Sequence, residues 1–452
     1  MYGSTDYRIA LLLPSSHQLL GRKVGNVIDL PILPVPDTLR PAQYVLSAIK
    51  QRWHIEAILI DIVPSSDSRM PCAILEIRGN TVDWDSVPLT PVDYGHVGGV
   101  PLTPEELRAL AAILHPTHPT SQGISTVGWV DSARSWIQQL VASRGLTLKR
   151  EVEQINGGGG FALIRFSSSE GPAFWLKAAG FPNQHEFPIT LFLSKRFPTY
   201  VPNLIGSYTN WNAWVTDEFG SAFDHKPLAR AACLSAAVCL AELQLASIDH
   251  KEGLLRACCG DQRLAVLRGR TDDLIGYLCE AMKRQVSTKV PRLPARRLQY
   301  LGNLIADACQ SLESASIPTV LIHNDINSGN ILYDGSRCVV TDWAEACIGI
   351  PFVTIYQLCR QLLRHTMAPP AVIREMFGVY RACWRRCLCE SQIMKVLRVL
   401  PLLSAVSNLY GRGEWLSSAQ GHAAAFDTYA RSIARHIDHV SRDACFAPEY
   451  SL

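Results

Sequence analysis

Charge of one sign is what this sequence lacks most plainly. Its 452 residues hold 43 Lys and Arg against 40 Asp and Glu, a formal net charge of only +3. No polybasic tract, RNA-binding aromatic signature or zinc-finger spacing breaks that balance, so nucleic acid is not an expected partner. Long hydrophobic runs are missing too. The apolar stretch at residues 9–14 is too brief for a secretory signal, and the apolar segment 228–247 is read as too short to span a membrane. No membrane is expected, and the expected location is cytoplasmic. There is also no disulfide framework: the 14 cysteines are scattered over apolar segments, as at Cys233, Cys239, Cys309, Cys338 and Cys359, which reads as reduced, packed thiols. Cys383, Cys387 and Cys389 cluster without a partner pair at metal-ligand spacing.

What is present is a large globular chain. With 48% hydrophobic residues it can bury more than one core, and its length suggests about three structural units. His115-Pro-Thr-His118-Pro reads as a linker. Before it, strand-like runs at 8–13, 57–63 and 72–77 alternate with a helix at 40–53 and another at 103–114, an α/β accessory domain over residues 1–114. Its order faintly resembles a Nudix hydrolase, in which a glutamate-rich helix binds metal. The helix here, 41–53, has no carboxylate, so pyrophosphate hydrolysis is not expected. The domain reads as a degenerate Nudix-like scaffold or an unrelated module for docking, dimerisation or substrate shaping. Residues 115–145 are linker and connecting helix, with Asp131 expected at the N-cap and Gly145 at C′.

The densest information lies in His323-Asn324-Asp325-Ile326-Asn327-Ser328-Gly329-Asn330 and, shortly after, Val339-Val340-Thr341-Asp342-Trp343. Thr319-Val320-Leu321-Ile322 is a β-branched apolar run, a buried strand that delivers Asp325 into the loop beyond it. Asn330-Ile331-Leu332-Tyr333 and Cys338-Val339-Val340-Thr341, joined through Asp334-Gly335, read as a hairpin that sets Asn330 and Asp342 near one end. A lone Asp or Asn in a loop is ordinarily a turn residue. Together these side chains suit phosphoryl transfer, which needs an acceptor hydroxyl oriented and relieved of its proton, and cations held against a triphosphate. Asp325 would take the proton; the amide oxygen of Asn330 and the carboxylate of Asp342 are hard ligands for Mg²⁺.

On these motifs the chain, over about residues 145–440, resembles the aminoglycoside phosphotransferase and choline kinase-like superfamily, whose catalytic loop reads His-Gly-Asp-x-x-x-x-Asn and whose metal segment reads Ile-Asp-Trp. His323, Asp325, Asn330, Asp342 and Trp343 match. Asn324 stands where Gly is usual, and Thr354 where the family usually has an Asp that supports the C-terminal lobe. The resemblance implies an α+β, protein kinase-like bilobal fold, a small lobe at 146–222 and a helical large lobe at 223–452, with ATP and Mg²⁺ as cofactors and a small-molecule hydroxyl acceptor.

A kinase also needs a strand lysine and a flexible phosphate-covering turn upstream. A strand at 146–155, the turn Asn156-Gly157-Gly158-Gly159-Gly160 and a strand at 161–166 supply the second, although a glycine run alone is often only a hairpin turn. Lys177 stands alone in the apolar strand Ala173-Phe174-Trp175-Leu176-Lys177-Ala178-Ala179, where an ammonium requires an anionic partner. Phosphates would provide one, and Glu186, at the start of the next helix with Pro188 in its first turn, is expected to pair with it. Trp214-Val215-Thr216-Asp217-Glu218-Phe219-Gly220 matches the family's hinge, with the backbone of Asp217, Glu218 and Phe219 against adenine.

Helices are expected at 228–247, 296–315 and over 372–440, with a break at Gly411 and Gly413. Trp384, Trp415 and Tyr429 are candidates either for an acceptor pocket or for core packing. The short stretch between Asp342 and Gly349-Ile350-Pro351 leaves little room for the peptide platform of a protein kinase, and a catalytically inactive nucleotide-binding module would be expected to have lost one of Lys177, Asp325, Asn330 or Asp342. After Glu375, the acids Glu390, Glu414, Asp427, Asp438, Asp443 and Glu449 face a larger set of arginines and lysines, a balance unsuited to a polycationic acceptor. Glu345 is the acid expected to reach the acceptor.

Overall fold

The computed structural model describes residues 3–13, 18–24, 27–37, 41–64, 70–78, 88–93, 102–115, 124–223, 228–365, 367–416 and 424–442. His118, Asp443 and Glu449 lie outside them. The chain divides into two compact units, residues 1–187 with 203–218, and residues 188–202 with 219–452.

The first unit holds two sheets. The N-terminal one has seven strands, with main-path order Val27–Asp29, Gln18–Val24, Ser4–Leu13, Cys72–Ile77, Ala57–Val63. Cys72–Ile77 is buried at every residue, parallel to Ser4–Leu13 and antiparallel to Ala57–Val63, which is why it reads as an apolar run broken only at Glu76. Helix Pro41–Trp53 buries Ala42, Val45, Ile49 and Trp53, one stripe at helical spacing, in a core with Ile9, Leu11 and Leu75. Helix Pro104–Leu114 packs Leu110, Ile113 and Leu114 with Ala10, Leu12 and Ile74, and is started by a capping box of Thr103 and Glu106. The short strands Gln18–Val24, Val27–Asp29, Ile32–Pro36 and Thr90–Asp93 were not foreseen.

The second sheet is antiparallel throughout, ordered Leu204–Tyr208, Ala213–Asp217, Phe174–Ala179, Phe161–Ser168, Leu148–Gly158. Phe161–Ser168 alternates strictly, burying Ala162, Ile164 and Phe166 under helix Trp129–Ala142. That helix begins on Gly128 at φ +80° rather than on Asp131. Asp131 lies in its first turn and accepts from Arg78 at 2.7 Å, a position that favours an acid through the same N-terminal partial charge that favours a capping one. Gly145 follows the helix at φ +72°. The strand expected to stop at Ile155 runs on to Gly158, so the turn proper is Gly159–Gly160.

The second unit is mainly helical, built on Arg230–Ser247, Ala295–Ser314, Val353–Arg364, Pro370–Trp384, Glu390–Tyr410 and Ala424–Arg442 around one large apolar core. Gly411 and Gly413, both at positive φ, separate the last two. One expectation needs correcting: Arg230–Arg256 and Glu390–Tyr410 do have the length and mean hydropathy of membrane spans. Burial of 56% and 72% of their most apolar windows within the protein gives that apolarity a core-packing reason. The described cysteines are all free thiols.

Candidate active site

In the second unit, strand Val320–His323 pairs antiparallel with Ala346–Gly349 and ends on a buried histidine; Asp325, two residues on, is exposed. His323 is tightly placed. Its backbone N–H donates to the Thr354 hydroxyl at 3.0 Å, its Nε2 lies 3.0 Å from the Thr341 carbonyl, and its ring packs 4.7 Å from that of Trp343. Thr354, which stands where the resembling family has Asp, therefore still supplies an acceptor beneath the loop, and does so without burying a charge. Asn324 has no left-handed φ, so no glycine is required there. Its amide exchanges two hydrogen bonds with Ser407, fastening the loop to helix Glu390–Tyr410.

The loop closes on itself. Asn327 caps the turn Ser328–Asn330 through the Gly329 N–H, and the buried Asn330 donates its Nδ2 to the Asp325 carbonyl at 2.9 Å. With that nitrogen committed, the amide oxygen is the group left to act as a ligand. The Thr341 N–H donates to the Asn330 carbonyl at 3.0 Å, which sets Asp342 beside Asn330 at the open end of the hairpin Ile331–Tyr333/Cys338–Val340. The other end is a four-residue connection, not a two-residue Asp-Gly turn: the Asp334 carboxylate accepts from the N–H groups of Ser336 and Arg337, bonds that hold it down to about 2. Asp342 has φ +66° and ψ +65°, a left-handed conformation that costs a residue with a Cβ about 1–2 kcal/mol. Burial, opposed by Arg412 and reinforced by Asp325, Glu414 and Asp342, pushes the Glu345 carboxyl above the usual carboxylate range.

Beside Asp325 opens a cavity of about 1010 Å³. Its walls are the loop 324–327 and one face each of three helices: Tyr356, Gln357, Arg360, Gln361 and Arg364; Pro401, Ser404, Ala405 and Asn408; Tyr429, Ser432, Ile433 and His436. Each set recurs at three- and four-residue spacing, the sequence signal that could have found them; of the aromatic candidates only Tyr429 is there. Trp384 is fully buried and Trp415 packs between Tyr277 and Phe426. Glu345 is not among the lining residues.

In the first unit, Lys177 Nζ lies 2.6 Å from Glu186 Oε1, with Glu186 buried and Lys177 nearly so, and with the rings of Phe161 and Trp214 at 5.7 and 5.8 Å. Glu186 opens helix Glu186–Arg196 and Pro188 sits in its first turn, as expected. The glycine turn holds a contact that sequence reasoning missed. The N–H of Gly159 donates to Asp61 at 2.7 Å, and a Cβ on Gly158 would come to 3.4 Å from the Ile62 nitrogen. Nearby, the Gln154 amide pairs with both the N–H and the C=O of Leu59. The available signal was Asp61 alone in the apolar strand Ala57–Val63, the same anomaly that singled out Lys177. Gly157 donates to the side chain of Asn156, and Gly160 is at φ +81°. Of the residues expected at a hinge, Asp217 is held by Arg144 and Asn203, both at 2.6 Å; Glu218 is held by Arg165 at 2.6 Å and its N–H is spent on the Ala173 carbonyl. Phe219, in the second unit, lies under Arg337.

Residues 184–387 match the model of the phosphotransferase enzyme family, APH. Among solved structures, the macrolide 2'-phosphotransferase of Brachybacterium faecium is 16% identical, with 67% of this chain and 98% of that one covered at a TM-score of 0.43. Choline kinase of Cryptosporidium parvum is 13% identical, covering 67% and 92% at 0.44, and a choline/ethanolamine kinase family protein of Mesorhizobium loti is 16% identical, covering 71% and 97% at 0.41. A search of curated proteins gave no match.

Proposed function

We propose that this chain, whose residues 184–387 carry the pattern of the phosphotransferase enzyme family, moves the γ-phosphoryl group of ATP to a hydroxyl of a small molecule seated in the cavity beside Asp325. The observation that carries this reading is Asp325 standing exposed at the cavity wall and tied through its own carbonyl to Asn330, whose carbonyl in turn accepts from Thr341, the residue before Asp342. Asp325 would orient the acceptor hydroxyl and accept its proton. Asn330 and Asp342 would hold Mg²⁺, which neutralises charge on the triphosphate when bound. Two oxygen ligands fit that ion, which keeps waters and substrate phosphates in its shell, and no group of three His, Cys, Asp or Glu suited to a metal exists among the described residues. Lys177, oriented by Glu186, would contact the phosphates; the glycines 157–160 and the backbone of 217–219 would flank the nucleotide.

A polycationic acceptor fits poorly. Glu390, Glu414, Asp427 and Asp438, the acids that would have to attract it, are paired with Arg381, Arg412, Arg284 and Arg442. The test is nucleoside diphosphate release with Mg·ATP over a panel of sugars, amino alcohols, hydroxy acids and aminoglycosides. Mg·ATP at 100 times its Kd should stabilise the protein by about 2.7 kcal/mol. Absence of both stabilisation and turnover would exclude the proposal.

A further inference from the structure

We infer that the acceptor carries an anionic group, a phosphate or a carboxylate, which binds to Arg360 and Arg364 while its hydroxyl is presented to Asp325. This rests on the reading above and adds the substrate class to it. Arg360 and Arg364 are one helical turn apart on Val353–Arg364, so their guanidinium groups rise from the same face, and both line the cavity and are exposed. Neither has a carboxylate partner among the described residues; Arg360 donates only to the Tyr356 hydroxyl, at 3.2 Å, and lies over its ring. That sets them apart from the arginines of the same unit that are consumed by Asp427, Asp438 or Glu390.

The rest of the lining agrees with an anion. Asp325 is the one carboxylate among the described lining residues, and it is the base the reaction requires. Opposite, on Ala424–Arg442, His436 is held below its usual range by burial and then by Arg360, His439 and Arg364, a sign of local positive potential. Gln357, bonded to Asn408 at 2.6 Å, and Tyr429 give neutral hydrogen-bonding wall between the two ends. A guanidinium pair on one helix face is suited to bidentate capture of phosphate or carboxylate. The cavity, at the upper end of the range for small-ligand sites, has room for both ends of such a molecule. In the reaction the acceptor oxygen forms a bond to the γ-phosphorus, the bond from that phosphorus to the β,γ-bridging oxygen breaks, ADP leaves with that electron pair, and the hydroxyl proton passes to Asp325.

The experiment has two arms. In the first, phosphoryl transfer is measured with matched acceptors: a sugar beside its phosphate ester, and a hydroxy acid beside its amide. Anionic members should be favoured at least 10-fold in kcat/KM. Arg360→Gln/Arg364→Gln should raise the KM for them 10- to 100-fold with a smaller change in kcat, and the paired Lys substitutions should restore part of it. In the second arm, thermal shift with inorganic phosphate and with malonate is compared between parent and the double Gln variant. A shift lost in the variant supports the anion site even if no acceptor is phosphorylated, an outcome that would sink the kinase reading alone. The relative size of the two shifts separates a phosphate from a carboxylate. Turnover that prefers neutral or cationic acceptors, or shifts identical in parent and variant, would overturn the inference.

Discussion

The glycine turn of the first unit and the Asp325 loop of the second are both short, polar and rich in turn residues, yet they are built on opposite principles. In the loop, backbone groups bind one another and Thr354, and the proposed chemistry rests on side chains, those of Asp325, Asn330 and Asp342. In the turn, the glycines have no side chains to offer, and one N–H is already taken by Asp61, 98 residues away. A motif made of side chains thus declares its chemistry locally. A motif made of missing side chains can serve a phosphate, a neighbouring strand or both, and only a distant segment distinguishes them.

The largest effect should come from the loop. Asp325→Asn is expected to cut turnover about 10²- to 10⁴-fold with Mg·ATP affinity nearly unchanged, read from kcat beside calorimetric binding. Unaltered turnover would give the base role to another group. Next, Lys177→Met removes the ammonium from a Glu186 carboxylate that is 1% exposed, which should destabilise the first unit by about 3–5 kcal/mol in denaturant titration; adding Glu186→Leu should recover most of it. If the single variant is as stable as the parent, the pair is not what anchors that carboxylate. Thr354→Val deprives the buried His323 N–H of its acceptor, costing about 1–3 kcal/mol, whereas Thr354→Ser keeps the bond. The mildest change bears directly on the glycines. Gly159 is at φ +61° with open space around its absent Cβ, so Gly159→Ala should cost about 1–2 kcal/mol through backbone conformation alone. Should it instead raise the KM for ATP without touching stability, the turn belongs to the nucleotide more than to Asp61.

Much of this was readable from residues, and the failures have physical causes. Strands 57–63 and 72–77 were placed to the residue because each is an apolar run broken by a single acid, Asp61 or Glu76, the mark of a largely buried strand. Lys177 with Glu186 was legible because an ammonium in an apolar strand demands a partner, and the structure supplies it at 2.6 Å. The seat of Thr354 beneath His323 could not be read, since the two are joined only by the return of helix Val353–Arg364. The cavity escaped for a related reason. Its polar faces were visible as periodicities, but which three helices turn them toward Asp325 is a property of tertiary packing. Asp131 was misplaced because acids favour both the N-cap and the first turn of a helix. The short strands of the N-terminal sheet carry too few alternations to be recognised.

The double hydrogen bond of Gln154 to Leu59, with Ile58 buried in the same core as Ile137, Ala162 and Ile164, bears on how this protein can change over generations. An N-terminal region joined only by a linker can be lost or exchanged by recombination at little cost. Here a deletion that runs from the N-terminus through residue 59 would strip an amide of both its partners and take Ile58 out of the apolar core beside the Lys177 strand. The first 114 residues and the strands that carry Lys177 are therefore expected to be inherited together, with compensating changes at 59, 61 and 154 travelling as a set.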